Sequence, residues 1–280
     1  MKITIKKLIL CVVFFCSFFQ VHGFSNAPAE EELRIVSLSP SITEILYVLG
    51  VGKNVVGNTL YCDFPEDAKY KNKVGDFLNF DIEKVLKVKP NLIFTTEGNN
   101  LFKIQQLKQL NFKIIFIEPP RSLKLYEGMI EKIARSVHKE NEGRLLIFKM
   151  NKALQNLQKI INKNKGKNIL ILLQLEPLYA VAQNSWLGDL FKSAGFQNIF
   201  KESFSGYGVF SQEILFTKKP EIVFVDHLVY LNKKETYTIL KRIFKSSTDK
   251  IKFIQLPKDI FVRFGPRIID AFKFLKELDD

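Results

Sequence analysis

The sequence predicts an α/β protein of two lobes, each a parallel sheet with helices on its faces, joined by a single long interlobe helix. Three observations carry this. Apolar strand-like runs alternate with amphipathic segments from Arg34 onward, the alternation restarts after a long polar helical region, and one phrase occurs twice. The phrase is IEKVLKVKPNLIF (Ile82 to Phe94) and QEILFTKKPEIVF (Gln212 to Phe224), which align without a gap. Alternation of this kind puts a parallel sheet between layers of helix.

In chain order, residues 34–38 read as a strand, followed by a helix through Tyr47 that Gly50 ends. Ser41-Ile42-Thr43-Glu44 has capping-box spacing for that helix start. Strands are expected near residues 55–58, 92–95 and 113–117, with short helices near 82–88 and 103–110. Leu146, Met150, Leu154, Leu157 and Ile161 then recur at three- and four-residue steps, the pattern of one helix of about five turns. The second set comprises a strand at 169–173, a helix at 185–194, a strand at 222–226, a helix at 236–244 and a strand at 251–256. Pro266 opens the last helix, where a missing N–H costs nothing. The resulting boundaries are a leader over 1–23, lobes over 24–140 and 166–280, and the interlobe helix over 141–165.

The first 23 residues stand apart. Lys2, Lys6 and Lys7 precede an apolar run from Leu8 to Phe19 and a Val21-His22-Gly23 end, which together read as a cleavable secretory signal cut after Gly23. Leu10 and Phe15 precede Cys11 and Cys16, where a lipoprotein signal needs small residues. Cleavage leaves 39 Lys and Arg against 29 Asp and Glu, a net charge of +10, spread along the chain rather than clustered with stacking aromatics as nucleic-acid binding requires. Only Cys62 survives, so no internal disulfide forms. The expected location is the periplasm or another extracytoplasmic space, and the expected state is a monomer.

Catalytic templates are missing: no G-x-G-x-x-G after a strand, no Walker A motif, no H-E-x-x-H and no G-x-S-x-G. With only His138 and His227 in the mature chain, a multi-histidine metal site is not expected. The reading is therefore not an enzyme, with no cofactor. Glu83 and Glu213 align in the repeat, each on the opening turn of a short helix. There a carboxylate suits the helix dipole, but two similar lobes should also carry functional residues at equivalent exposed places. Asp259 and Arg263 fall in KDIFVRFGPRI, between a strand end and a helix start, the usual place for a ligand loop.

From RIVSLSPSITEILYVLG through VGDFLNFDIEKVLKVKPNLIF to FGPRIIDAFKFL, nearly the whole mature chain resembles the periplasmic substrate-binding proteins of the iron-complex and cobalamin class, which serve ABC importers, and most of all its cobalamin-binding members. The resemblance implies two Rossmann-like lobes joined by one rigid helix, with a transported corrinoid (cobalamin) in the cleft. It places Ser41, Tyr61, Phe77, Tyr179 and Tyr207 at ligand-lining positions. It gives Asp259 and Arg263 hydrogen bonds to polar groups around the corrin ring, and has Glu83 and Glu213 pair with arginines of a two-fold permease dimer. Thr96 and Ala194 stand where those members have a cleft tryptophan and a disulfide cysteine. A ferric siderophore or haem is the alternative metal-chelate ligand.

Overall fold

The computed structural model describes residues 32–201, 206–227, 229, 233–244 and 250–278; the expected export segment, residues 1–23, lies outside them. β1 (Ile35–Ser37), β2 (Val55–Asn58), β3 (Asn72–Lys73), β4 (Leu92–Thr96) and β5 (Ile114–Ile117) form a first sheet in the order β3-β2-β1-β4-β5. Every pairing in it is parallel, so each strand must be reached by a crossover. α1 (Pro40–Val48), α2 (Ile82–Lys87) and α3 (Leu101–Gln109) provide three of these crossovers. Both faces of the sheet are covered, and alternate residues divide between them. Ile35, Leu92 and Phe94 join one apolar cluster, whereas Val36 and Ile93 join another.

The second sheet departs from the all-parallel expectation. β6 (Asn168–Leu175) pairs in parallel with β10 (Ile222–Val225), and β10 with β11 (Lys252–Gln255). On its other side, β7 (Leu178–Val181) and β9 (Tyr207–Val209) add as antiparallel strands, and the two-residue β8 (Gln197–Asn198) pairs with the start of β6. The reason lies in the connection: β6 turns directly into β7 through Glu176 and Pro177, leaving no length for a crossover helix. α7 (Trp186–Ser193), α8 (Ile214–Thr217), α9 (Lys233–Phe244) and α10 (Ile268–Glu277) complete this half.

The repeated phrase occupies equivalent places in the two sheets. α2 leads through Lys89-Pro90 into β4, the strand beside β1, and α8 leads through Lys219-Pro220 into β10, the strand beside β6. The equivalence reaches side chains. Asn91 Oδ1 accepts from the Arg34 N–H at 2.8 Å, and Glu221 Oε1 accepts from the Asn168 N–H at 3.0 Å, each tying down the start of a central strand.

The single interlobe helix expected over 141–165 is two helices, preceded by a third that packs on the first of them. α4 (Leu123–Ser136) and α5 (Glu140–Gln155) form a helical hairpin, and α6 (Gln158–Asn164) follows after a break at Asn156 and Leu157. Leu157 N–H bonds back to Leu154 O rather than one residue further, the tight turn that ends α5. Burial explains why the periodicity concealed it. Leu146, Met150, Leu157 and Ile160 all reach the core on either side of the break. That core is continuous: one cluster takes Phe94 of the first sheet, Ile171 and Phe224 of the second, and Tyr126, Met150 and Phe272 of the helices between.

Candidate ligand-binding site

A cavity of about 530 Å³ opens where the first sheet's strands end. Each parallel strand hands a loop to it: Ser39, Pro40 and Ser41 after β1, Tyr61 after β2, Asp76 and Phe77 after β3, Thr96 and Glu97 after β4, and Pro119 after β5. Val262, Arg263 and Phe264 close it from the second half, in the segment between β11 and α10. The carboxyl ends of an open parallel sheet are the expected site for a ligand, and the volume is that of a small-molecule cleft.

Of the expected ligand residues, Ser41, Tyr61, Phe77 and Arg263 come together here. Tyr61 is 59% exposed, a large aromatic surface turned to the cavity. Phe77 is held from two sides. Asn99 Nδ2 donates to Phe77 O at 2.6 Å and to Leu38 O at 3.1 Å, while its Oδ1 accepts from Thr95 Oγ1 and the Thr96 N–H. Gly98, at φ +92°, lies so close beneath the ring that a Cβ there would sit 2.8 Å from a Phe77 ring carbon. Gly98→Ala should therefore both strain the backbone and displace the ring. A loss of about 1–2 kcal/mol of stability and roughly tenfold of ligand affinity is expected by thermal unfolding and calorimetry.

Asp259 is not among the lining residues and meets the cavity through Arg263. Asp259, at φ +63°, holds Arg263 Nη2 at 3.1 Å. Arg263 Nη1 bonds Asp63 Oδ1 at 2.6 Å and Glu44 Oε1 at 3.2 Å. Arg267 grips the same Glu44 with two bonds, Nε to Oε2 at 3.0 Å and Nη2 to Oε1 at 2.7 Å, and its guanidinium lies 4.4 Å from the centre of the Phe64 ring. Glu44 is 1% exposed, so this is a buried clamp between the first of the described helices and the segment preceding the last of them. Gly265 makes room for it: a Cβ there would stand 2.7 Å from Glu44 Oε2.

Glu44 is thus not the end of a capping box. Pro40 takes the first helical position, Ser39 becomes the cap residue, and Glu44 lies too far along α1 to reach back. Burial raises the Asp63 carboxyl, but the hydrogen bond and charge of Arg263 outweigh it and hold Asp63 below its usual range. The folded pKa is depressed, so the Asp63 contribution is full above the ordinary aspartate pKa and is lost as pH falls through the lower value. Thermal melting followed down an acid series should show the parent losing more stability below about pH 4 than Asp63→Asn does.

Tyr179 and Tyr207 are not brought to the cavity. They lie diagonally across the β7–β9 pair, with Tyr179 opposite Val209 and Tyr207 opposite Val181. Tyr207 exposes 39% of its surface, yet burial about its hydroxyl pushes the phenol up to about 12. Glu83 and Glu213 are both exposed at the openings of α2 and α8. At α2 the cap is Asp81, whose carboxylate accepts from the Glu83 and Lys84 N–H groups, so the Glu83 side chain is left to solvent. Cys62 is buried, with its sulfur 3.2 Å from Thr43 Oγ1 and from Thr59 Oγ1.

The family model described as periplasmic binding protein matches residues 35–248. The chain belongs to that family. Its members are substrate-binding proteins of ABC importers, which work with a permease, and are not enzymes. Over 260 residues the chain is 27% identical to a vitamin B12-binding protein of Photorhabdus laumondii, covering 92% of each chain. The crystal structure of the periplasmic vitamin B12 binding protein of Vibrio cholerae superposes with a TM-score of 0.73 at 27% identity, over 86% of this chain and 94% of that one. A periplasmic heme-binding protein of Roseiflexus sp. RS-1 shares the fold, with a TM-score of 0.74 at 20% identity over 88% of this chain and 97% of that one. The family's two-lobed α/β architecture accounts for the two sheets. Among the described residues no helix is long and apolar enough to cross a membrane.

Proposed function

We propose that this periplasmic binding protein captures a corrinoid in the cleft and delivers it to an ABC importer. The observation that carries the reading is the charge of the cleft. Arg263 is the lining cation, and it is already held by Glu44, Asp63 and Asp259. Asp76 and Glu97 add two more carboxylates to the wall, and Lys258 acts on Asp63 only as a more distant charge. A wall of that sign repels the propionates of haem and the anionic groups of a catecholate siderophore. It suits a flat, amide-fringed ligand whose uncharged donors and acceptors meet Arg263 and the carboxylates, while its apolar face packs on Tyr61 and Phe77. Among the lining residues there is no histidine, so the Tyr61 phenol and the Met129 thioether are the candidate axial ligands left to haem.

Titration of the protein with cyanocobalamin, haemin and a ferric hydroxamate in parallel tests this, by calorimetry and by Trp186 fluorescence. Trp186 is buried with its ring 5.7 Å from Phe264, which lines the cavity, so the indole lies one ring behind the ligand. Micromolar binding of haemin without binding of the corrinoid would overturn the choice.

Delivery uses one glutamate per lobe, Glu83 and Glu213, against cationic side chains of a two-fold permease. The support is their exposure and their matched positions before β4 and β10. Glu83→Ala combined with Glu213→Ala should leave ligand affinity unchanged and weaken permease docking about tenfold or more in a vesicle pull-down. Equal docking by the double variant refutes the role. Export through residues 1–23, cleaved after Gly23, completes the reading, and N-terminal sequencing of the secreted protein checks it.

A further inference from the structure

We propose that Lys73 is a positioning residue for ligand capture, a tethered cation that holds the cleft loop of residues 59–68 in its binding conformation. The inference rests on the reading of the cavity as the ligand site. Lys73 Nζ donates to Asn58 Oδ1 at 2.8 Å, Ala68 O at 3.0 Å, Cys62 O at 3.1 Å and Thr59 O at 3.2 Å. These partners are uncharged oxygens, one amide and three backbone carbonyls, arranged round the ammonium as round a bound monovalent ion. Asn58 closes the neck of the same loop, since its Nδ2 donates to Ala68 O at 2.9 Å.

The loop is also tied by the Leu60 N–H to Gly75 O and by Thr43 and Thr59 at the Cys62 sulfur, but only Lys73 gathers its two ends and its middle at one point. The loop presents Tyr61 to the cavity, Asp63 to Arg263 and Phe64 to Arg267. Carbonyls that converge on one point repel each other unless a cation sits there, and without one they turn outward to water. Lys73 reaches the position from β3, whose pairing with β2 is made by backbone groups and does not need the side chain. Burial pulls the ammonium's pKa down while Asp63 and Cys62 oppose it. The residue therefore acts on the loop rather than on the sheet.

The test compares Lys73→Ala with the parent by amide hydrogen exchange and by cyanocobalamin titration. Exchange at residues 60–64 should accelerate about tenfold or more while β1 and β4 keep their protection, and cyanocobalamin should bind about tenfold more weakly. Ammonium or potassium should restore both, and tetramethylammonium at equal ionic strength should restore neither, a readout that a merely structural lysine would not move. Unchanged loop exchange, or equal restoration by tetramethylammonium, overturns the proposal. Should Lys73→Ala fail to fold, Lys73→Gln keeps two donors and is expected to show intermediate exchange with no response to cations; parent-like exchange in that variant overturns the proposal equally. If the parent itself ignores cyanocobalamin, the corrinoid reading fails, while loop exchange and cation response still decide the role of Lys73.

Discussion

Glu44→Ala is expected to destabilise the protein by about 3 kcal/mol, the lower end of the cost of breaking a buried ion pair by removing one partner. The carboxylate is 1% exposed and accepts three hydrogen bonds from two guanidinium groups. Arg263 would keep Asp63 and Asp259, but Arg267 would keep only the face of Phe64. For a chain of this size such a loss lowers the melting temperature by about 6–12 °C. Glu44→Gln, which preserves shape and removes charge, should recover only a minor part. A melting curve for Glu44→Ala that overlays the parent's would show that the clamp contributes nothing net to stability.

Replacing both aromatic faces of the cleft, Tyr61→Ala with Phe77→Ala, should weaken corrinoid binding by about 3 kcal/mol, or roughly a hundredfold in Kd. Tyr61 is more than half exposed and Phe77 is half-buried, so truncating them removes contact surface without hollowing the core. Stability should therefore move by less than about 1 kcal/mol, unlike the Glu44 case. The two outcomes would separate the parts of the site, with the proposed ligand contact on the aromatics and the joining of the halves on the clamp. Calorimetry on each single and the double variant checks this, and an unchanged Kd for the double variant would remove the stacking role from both residues.

The first half of the fold was legible because a parallel sheet writes itself plainly. Its central strands are apolar runs covered on both faces, and residues 55–58 were read to the residue, whereas the polar two-residue β3 left no such run to read. The second half was less legible where pairing is local. β7 and β9 are four and three residues long, and β9 is largely exposed, so neither shows a period strong enough to find. The break at Asn156 left no mark because the apolar spacing stays in phase across it. Among the expected ligand residues, Tyr61, Phe77 and Arg263 lie in segments that follow strands, and they line the cavity. Glu44, Asp63 and Lys73 were missed for one shared reason: each works through a partner far along the chain, and nothing in the local spacing reports it. The single signal for Glu44, a glutamate three residues after a serine, pointed to a local cap instead.

The clamp also joins the two ends of the described chain. Glu44 lies on the first helix and Arg267 directly before the last, separated by 223 residues. Bringing such distant segments together costs on the order of 5 kcal/mol of loop-closure entropy by the logarithmic rule, and nothing returns until both are present. The seam is accordingly among the last contacts to form. A chain lacking its last 24 residues has both sheets' strands but no partner for a buried carboxylate. Resistance to proteases should therefore appear only once synthesis and transport have delivered the whole polypeptide, which makes the C-terminal segment a built-in signal of completeness.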